Sequence, residues 1–242
     1  MHSTAYTFRF AIYVTLVCSV LLAAAATVLK PRQVENQLLE MKKNILVSVD
    51  IRPQEGESFT RELIQAKYDQ YIKGLVINEN GEILPDRDPG TLDPKKEPGL
   101  FGIYERIEDG DIKAYVFPVS GKGLWSTIYG YLALAPDMNT VVGITFYQHG
   151  ETPGLGGEIE KDWFTSNFVG KKIRNDQGEI VSINVVKGKV DPNSPEAYHQ
   201  VDGISGSTLT GRGVTNFLKS ELKKYEPFMQ AHLQIKKGEI NG

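Results

Sequence analysis

The hydrophobic and polar positions divide the chain into one long apolar stretch and a series of short periodic segments. Residues 10–29 carry no charged side chain and are flanked by Arg9 and Lys30. A helix rises about 1.5 Å per residue, so this stretch can cross the roughly 30 Å hydrocarbon core of a bilayer. The small residues 23–27 would also suit a signal-peptide cleavage site, but the apolar run is long for a signal peptide. We therefore predict a retained transmembrane helix.

Helical and strand-like periods follow the apolar stretch. Amphipathic spacing predicts four helices, over residues 34–51, 57–72, 158–168 and 209–224. Pro227 is expected to end the last of them. From Ile112 onwards, runs of aromatic and branched residues predict four strands, over residues 113–119, 131–135, 141–147 and 180–186. The turn-rich segment 79–98 is predicted to form a hairpin or a surface excursion.

This order of elements predicts the fold class and the organisation of the chain. Helices, then strands, then mixed elements indicate an α+β fold in which helices pack on an antiparallel sheet. We expect a short N-terminal tail over residues 1–9 and the transmembrane helix over residues 10–29. A helical stalk and the first part of a soluble head would occupy residues 30–111, and the principal domain would occupy residues 112–242.

Composition removes several classes of protein. The 242 residues carry a formal charge of −3 with no basic stripe between aromatic residues, which argues against nucleic-acid binding. Cys18 is the only cysteine and lies inside the apolar run, so a disulfide scaffold, iron–sulfur ligation by this chain alone and CxxC chemistry are excluded. The histidines lack metal-ligand spacing, and no GxGxxG segment is present. We predict no metal site and no catalytic residue.

The segment with the most chemical information is Asp-Gly-Ile-Ser-Gly-Ser-Thr-Leu-Thr, residues 202–210. It places a carboxylate and a glycine-bearing turn before hydroxyl residues that open a predicted helix. Free N–H groups and a partial positive charge at a helix N-terminus suit a phosphate, and Gly206 permits close approach of a ligand. The alternative is a helix cap, in which a hydroxyl of Ser205, Ser207 or Thr208 contributes about 1 kcal/mol.

This segment resembles the covalent flavin-attachment motif of the FMN-binding domain family. The family has an Asp, two residues, Ser/Thr, Gly, a small residue and then the Thr/Ser that FMN phosphate esterifies; Ser207 stands where Ala is usual. The resemblance implies that Thr208 carries FMN and that residues 112–242 form an FMN-binding domain with a curved sheet. No His/Asp arrangement surrounds Thr208 in sequence, so self-catalysed attachment is not expected. The resemblance implies a separate magnesium-dependent flavin transferase that uses FAD.

Two more segments resemble the NqrC family, the FMN-carrying subunits of sodium-translocating NADH:quinone reductases. They are Gly-Lys-Gly-Leu-Trp-Ser-Thr-Ile-Tyr-Gly-Tyr, residues 121–131, and Phe-Tyr-Gln-His-Gly-Glu-Thr-Pro-Gly-Leu-Gly-Gly, residues 146–157. With Thr208 they keep the family's order, and the resemblance covers essentially the full length. It implies an electron carrier with covalent FMN, in a translocase that couples NADH oxidation by quinone to sodium export. The partners would be the other subunits of that complex.

The resemblance also implies a single-pass protein of the bacterial inner membrane with a periplasmic head. The charge bias around the span points the other way. Lys30, Arg32, Lys42 and Lys43 follow the span, whereas only Arg9 and His2 precede it with the N-terminal amine. The positive-inside rule would therefore favour a cytoplasmic head. Because this bias is small and partner subunits can fix topology, we expect the periplasmic side.

We expect the flavin site to combine three parts of the chain. These are the attachment segment, residues 202–210, the aromatic segment, residues 121–131, and the polar loop, residues 149–154. Its predicted residues are Asp202, Ser205, Gly206, Ser207, Thr208, Leu209, Thr210, Leu124, Trp125, Ser126, Tyr129, Glu151 and Thr152. Some of these residues have a simpler alternative. Trp125 and Tyr129 would suit core packing, and Asp202 would suit an Asx-turn over Gly203 and Ile204. His149, outside this set, invites an acid–base role, but we expect an exposed or structurally bonded histidine.

Three other functions stay open at this point. The first is the flavin-bearing RnfG component of the Rnf ferredoxin:NAD oxidoreductase complex, which shares the flavin motif and the single anchor. The second is a non-redox, membrane-anchored interaction or assembly module with an unmodified Thr208, whose aromatic loops would be a docking surface. The third is a lone periplasmic flavin reductase. Bound flavin in native preparations would argue against the second.

Overall fold

The computed structural model describes residues 3–94 and 96–240. These form two compact units, Met1–Met41 and Lys42–Gly242. The N-terminal tail begins with Met1 and His2, which lie outside the described residues, as does Lys95 of the predicted surface excursion.

The first unit is helical. Helix α1, Thr4–Ser48, begins inside the predicted tail, runs through the predicted span and ends inside the predicted helix 34–51, with Pro31 inside it. Its last residues, from Lys42 onwards, belong to the second unit. Every side chain from Ser3 to Leu38 is exposed, including the apolar ones. Among the described residues this is the one helix that is long and apolar enough to cross a membrane. Exposed apolar side chains of this kind suit hydrocarbon rather than water.

The second unit contains the sheet and the core. Helix α2 spans Arg61–Tyr71. Six strands follow it in the chain: β1 (Ile72–Asn78), β2 (Ile83–Leu84), β3 (Leu100–Glu108), β4 (Asp111–Lys122), β5 (Thr127–Leu134) and β6 (Val141–Gln148). All neighbours pair antiparallel, in the order β2-β1-β3-β4-β5-β6. The predicted α+β class with helices on an antiparallel sheet is confirmed. The Thr60 hydroxyl caps α2 by accepting a hydrogen bond from the Leu63 N–H at 3.2 Å.

Strands β1 and β3 both precede Ile112, where the strand pattern was expected to begin. Each contains a glycine, which weakens the strand signal in the sequence. A Cβ at Gly74 would lie 2.6 Å from the Pro89 ring, and a Cβ at Gly102 would lie 2.7 Å from it. The two glycines thus make room for a short 3₁₀ turn, Pro89–Thr91. The sheet therefore continues across the predicted boundary between residues 111 and 112.

Helix α4, Thr208–Ile240, covers one face of the sheet. Its buried apolar face packs into the main core with residues of β4, β5 and β6. The Tyr225 hydroxyl donates a hydrogen bond of 2.7 Å to the carbonyl of Pro118 in β4. The expectation that Pro227 ends this helix is wrong, because Phe228 and Met229 just beyond it are fully buried and extend the apolar face.

Two further predicted elements are also irregular. The helix predicted over residues 158–168 consists of a 3₁₀ turn, Gly156–Glu160, a short helix α3, Asp162–Thr165, and a second 3₁₀ turn, Ser166–Phe168. The strand predicted over residues 180–186 is reduced to β7, Asn184–Val185, which pairs in parallel with β8, Gln200–Val201. Ser182 has a φ of 69° and donates its N–H to the carbonyl of Ile173, so the chain turns there instead.

Candidate functional site

The attachment segment connects β8 to helix α4. Gly206 adopts a φ of 73°, a left-handed conformation that glycine tolerates best, and Ser207 donates its N–H to the Ile204 carbonyl at 3.1 Å. This turn makes Thr208 the first residue of α4, with its side chain exposed. The hydroxyl therefore stands beside the free N–H groups of a helix N-terminus, as the sequence predicted.

A groove of about 340 Å³ lies along this segment. Its walls come from the turn after β7 and from the start of α4, and its lining residues are Val185, Val186, Lys187, Gly188, Lys189, Gly203, Ile204, Ser205, Gly206, Ser207, Thr208 and Gly211. Lys189 is paired with Asp202, so Lys187 and the helix N-terminus are the groups that make this groove favourable for an anion. Sequence reasoning missed both lysines, because only the parallel pairing of β7 with β8 brings them beside Thr208.

Ser207 is the buried polar residue of the groove. Its Oγ has no hydrogen-bond partner, although the side chain is buried. Within the described part of the chain, the hydroxyls of Ser205, Ser207 and Thr208 accept no hydrogen bond from the first turn of α4, so the capping alternative is not realised by these side chains. A buried donor without a partner next to an exposed threonine fits a phosphate ester held in the groove.

Asp202 holds the two walls of the groove together. Its carboxylate accepts hydrogen bonds from Lys189 Nζ at 2.6 Å and from the Val190 N–H at 2.8 Å. The hydrogen bond from Lys189 is the main cause that lowers the pKa of Asp202, and the Val190 N–H lowers it further. The Asx-turn over Gly203 and Ile204 is therefore not the arrangement found, since both oxygens face the 187–190 turn.

Glu151 is buried below the aromatic segment rather than turned towards solvent. Burial by itself would raise its pKa, but hydrogen bonds from the Thr210 hydroxyl and from three backbone N–H groups outweigh burial and lower it. The N–H donors belong to Leu124, Trp125 and Ser126, at 3.3, 3.0 and 3.3 Å. The carboxylate is thus an ionised internal acceptor that joins the aromatic segment to α4.

The aromatic segment forms an exposed turn between β4 and β5. Trp125 is 71% exposed and Leu124 is 39% exposed, so core packing does not explain the tryptophan. Tyr129, at 37% exposure, lies on β5 with its ring 6.4 Å from the ring of Tyr147. The turn lies beside the start of α4, because a Cβ at Gly213 would come within 2.6 Å of the Lys122 carbonyl and 3.0 Å of the Gly123 Cα.

The polar loop after β6 has mainly structural contacts. His149 accepts a hydrogen bond at Nδ1 from the Glu151 N–H at 3.3 Å, and its Nε2 lies 3.5 Å from a Glu160 carboxylate oxygen. Nδ1 of His149 thus has a structural hydrogen bond, whereas its Nε2 is buried without a hydrogen-bond partner among the described residues. Thr152 is exposed, and its carbonyl accepts the N–H groups of Leu155 and Gly157. Leu155 and Leu209 are both half-exposed, and a Cβ at Gly206 would lie 2.9 Å from the Leu155 side chain.

No cluster of three or more potential metal ligands is found among residues 3–94 and 96–240. The model of the FMN-binding domain family matches residues 123–223, which run from the aromatic turn into α4. The fold and this site define the chain as an FMN-binding domain protein with an N-terminal apolar helix.

Comparison with known proteins narrows this class. The chain is 38% identical to NqrC of the Na(+)-translocating NADH-quinone reductase of Pseudomonas aeruginosa over 98% of both chains. It is 37% identical to the corresponding protein of Yersinia pestis over 83% of this chain and 82% of that one. The chain belongs to the NqrC family of Na(+)-translocating NADH-quinone reductase subunits.

Solved structures agree with this assignment. The crystal structure of NqrC from Parabacteroides distasonis superposes with a TM-score of 0.71 at 34% identity, over 83% of this chain and 96% of that one. The structure of Shewanella oneidensis NqrC gives a TM-score of 0.70 at 28% identity, over 80% and 96%. The resemblance drawn from the three motifs is confirmed, and the RnfG component of the Rnf complex is the less suitable assignment.

Proposed function

We propose that this chain is the electron-carrier subunit of a sodium-translocating NADH:quinone reductase and that it carries FMN as a phosphoester on Thr208. One observation carries the proposal. Thr208 is exposed at the first position of α4 and borders a groove that contains two lysines and the unpartnered hydroxyl of Ser207. Family membership supports the complex and the cofactor, and the geometry supports the point of attachment.

The proposed contacts divide between the two ends of the cofactor. The first N–H groups of α4 and the Ser207 hydroxyl would hold the phosphate, and Lys187 would balance its charge. Leu124, Trp125 and Tyr129 would contact the isoalloxazine ring, for which exposed apolar and aromatic surface is suitable. When bound, FMN supplies a ring that accepts and releases electrons, while the chain fixes its position and surroundings.

Attachment requires activation from outside this chain, because no general base contacts the Thr208 hydroxyl among the described residues. We propose that a magnesium-dependent flavin transferase supplies it, with FAD as donor. The Thr208 oxygen would form a bond to the phosphorus of the FMN half, and the bond between the two phosphates would break. AMP would leave with the former bridging oxygen, and the hydroxyl proton would pass to a base of the transferase.

The apolar part of α1 suits a membrane anchor for the carrier. Residues 10–29 contain no ionisable side chain apart from Tyr13 and Cys18, so this span offers no charged group for an ion path. Sodium transfer would therefore take place in partner subunits, driven by electrons that reach this FMN and leave it. We propose that the head is on the periplasmic side of the inner membrane.

The decisive experiment is the intact mass of the denatured chain after co-expression with a flavin transferase. We expect wild type to gain the mass of FMN less one water and Thr208→Ala to gain none. Thr208→Ser is the matched control and should stay modified, because it keeps the hydroxyl at the first position of α4. In membranes that contain the complex, Thr208→Ala should lose sodium-stimulated NADH:quinone reduction.

Three outcomes would contradict the proposal. An unmodified wild type, with the transferase active on a control substrate, would favour the interaction or assembly module. If Thr208→Ala still gains the mass of FMN, another residue is the attachment site. Full sodium-stimulated turnover in the Thr208→Ala complex would remove this chain from the electron path.

A further inference from the structure

The carboxylate of Glu151 is the meeting point of three segments that are distant in sequence. Its Oε1 accepts hydrogen bonds from the N–H groups of Trp125 and Ser126, and its Oε2 accepts from the Leu124 N–H and from Thr210 Oγ1 at 2.7 Å. Glu151 and Thr210 are both buried. The four donors use the acceptor capacity of an ionised carboxylate, so Glu151 has none left for a ligand.

Two glycines make room for this carboxylate. A Cβ at Gly123 would lie 2.6 Å from Glu151 Oε1, and a Cβ at Gly156 would lie 2.9 Å from Oε2 and 2.6 Å from Thr210 Oγ1. A second hydrogen bond holds the same two loops from the other side, because the Gly150 N–H donates to Ser126 Oγ at 2.6 Å. The turn of residues 123–126 is therefore fixed by two contacts, the Glu151 carboxylate that accepts its N–H groups and the Gly150 N–H that donates to Ser126 Oγ.

We propose that Glu151 is a positioning residue for the flavin, which holds the Leu124–Trp125 turn at a fixed distance from the attachment residue Thr208. The inference rests on the proposed function and extends it to the ring end of the cofactor. Thr210 is two residues beyond Thr208 on the first turn of α4, so its hydroxyl connects the carboxylate to the attachment point. The same carboxylate determines where Trp125, the most exposed aromatic residue of the turn, is presented.

Two pairs of variants distinguish a positioning role from a general effect on stability. Glu151→Gln is paired with Asp137→Asn, and Thr210→Val is paired with Thr210→Ser. Glu151→Gln keeps the shape of the side chain but places an NH₂ group where N–H or O–H donors point, and it removes the charge. Thr210→Val removes only the hydroxyl that connects the carboxylate to α4, and Thr210→Ser restores it. Asp137→Asn is the control, because Asp137 also accepts two backbone N–H groups and a threonine hydroxyl, but in the turn at the opposite end of β5.

The first measurement is the emission of the attached flavin, normalised to the FMN mass on the same sample. We expect Glu151→Gln and Thr210→Val to keep the FMN mass but to emit several-fold more strongly and with lower anisotropy, because the ring loses its contact with Trp125. Thr210→Ser and Asp137→Asn should match wild type. Wild-type emission and anisotropy in Glu151→Gln would overturn the proposal, even with a lowered Tm. Loss of FMN mass in Glu151→Gln would also overturn it and assign Glu151 to recognition by the transferase.

The second measurement is hydrogen exchange of the amides of residues 124–126 in a Thr208→Ala background without flavin. Glu151→Gln should increase their exchange at least tenfold, whereas Asp137→Asn should leave it unchanged. Unchanged exchange in Glu151→Gln would overturn the proposal. Because this arm needs no cofactor, an unmodified wild-type chain would contradict the proposed function and leave the role of Glu151 in the turn to be decided separately.

Discussion

At the scale of single residues, Ser207 has an unusual balance of burial and hydrogen bonding. Its hydroxyl is buried in the wall of the groove and has no partner in the protein. A buried polar group without a partner costs about 1–3 kcal/mol. A hydroxyl of this kind destabilises the chain as long as it has no partner, and an oxygen of the proposed FMN phosphate would supply one.

We expect Ser207→Ala to raise the free energy of unfolding of the unmodified chain by about 1 kcal/mol, because it removes the unpartnered hydroxyl. The gain should shrink or reverse in the FMN-bearing chain. Urea unfolding of both forms measures the difference. Ser182→Ala is the matched control, since Ser182 Oγ is also buried and unpartnered but lies outside the groove, and it should change both forms equally. If Ser207→Ala raises the free energy of unfolding equally in the unmodified and the FMN-bearing chain, the Ser207 hydroxyl does not contact the phosphate.

The local part of the site could be predicted from the sequence, and the assembled part could not. Gly206 lies in the turn and Thr208 begins the helix that follows it, and the nine residues 202–210 are sufficient to specify both features. The lysines of the groove come from a segment about 20 residues earlier, and pairing of two-residue strands places them there. Glu151 was expected near the flavin, but only the fold determines that its carboxylate faces three backbone amides instead.

At the scale of elements, helix α4 shows how packing overrides a local signal. An interior proline costs about 3 kcal/mol. Burial of Phe228 and Met229 beyond it contributes about 1.5–3 kcal/mol each, which together is enough to offset that cost. Lys223, whose carbonyl loses its partner to Pro227, is exposed, so water can take the place of the missing N–H. Strands β1 and β3 were not predicted, because their glycines weaken the local strand signal. Those glycines make room for Pro89, a contact that the local sequence does not show.

The turn between β1 and β2 packs directly on α4 at Pro227. Gly81 has a φ of 80°, and a Cβ there would lie 2.3 Å from the Phe228 nitrogen. We expect Gly81→Ala to destabilise the protein by about 1–2 kcal/mol from backbone strain and a further 1–3 kcal/mol from overpacking. Gly110→Ala is the control, because Gly110 has a φ of 86° with nothing within 4 Å and should show the strain alone. If Gly81→Ala and Gly110→Ala lower the stability equally in thermal or urea unfolding, Gly81 does not pack against α4 as described.

At the scale of the whole molecule, the apolar part of α1 and the folded unit differ in burial. Among the described residues, the buried apolar core residues lie in the unit that begins at Lys42, and residues 3–38 contribute none. Hydropathy was sufficient to predict a helix that is long and apolar enough to cross a membrane, because an uncharged run of this length has few alternatives. It was not sufficient to predict the side of the membrane, since the charge bias and the family resemblance point in opposite directions.

The predicted topology can be tested with single cysteines, because Cys18 is the only natural one. In a Cys18→Ser background, Gln177→Cys places a thiol on an exposed turn of the head, and Ser3→Cys places one on the other side of the span. We expect a membrane-impermeant maleimide to label Gln177→Cys in intact cells with a permeabilised outer membrane and to label Ser3→Cys only after lysis. The reverse pattern would place the head in the cytoplasm and make the charge bias the better guide.

The position of α4 after all strands of the sheet has a consequence for the order of biosynthesis. Translation produces all six strands of the sheet, the aromatic turn and Glu151 before it reaches Thr208. The partner of Glu151 in α4 follows 59 residues later, on the same helix that closes the core. A nascent chain that has not yet reached α4 therefore lacks both the helix that covers the core and the helix start beside the groove. If Thr208 is the attachment residue, as proposed, its modification would have to wait until α4 has been synthesised and has packed on the sheet.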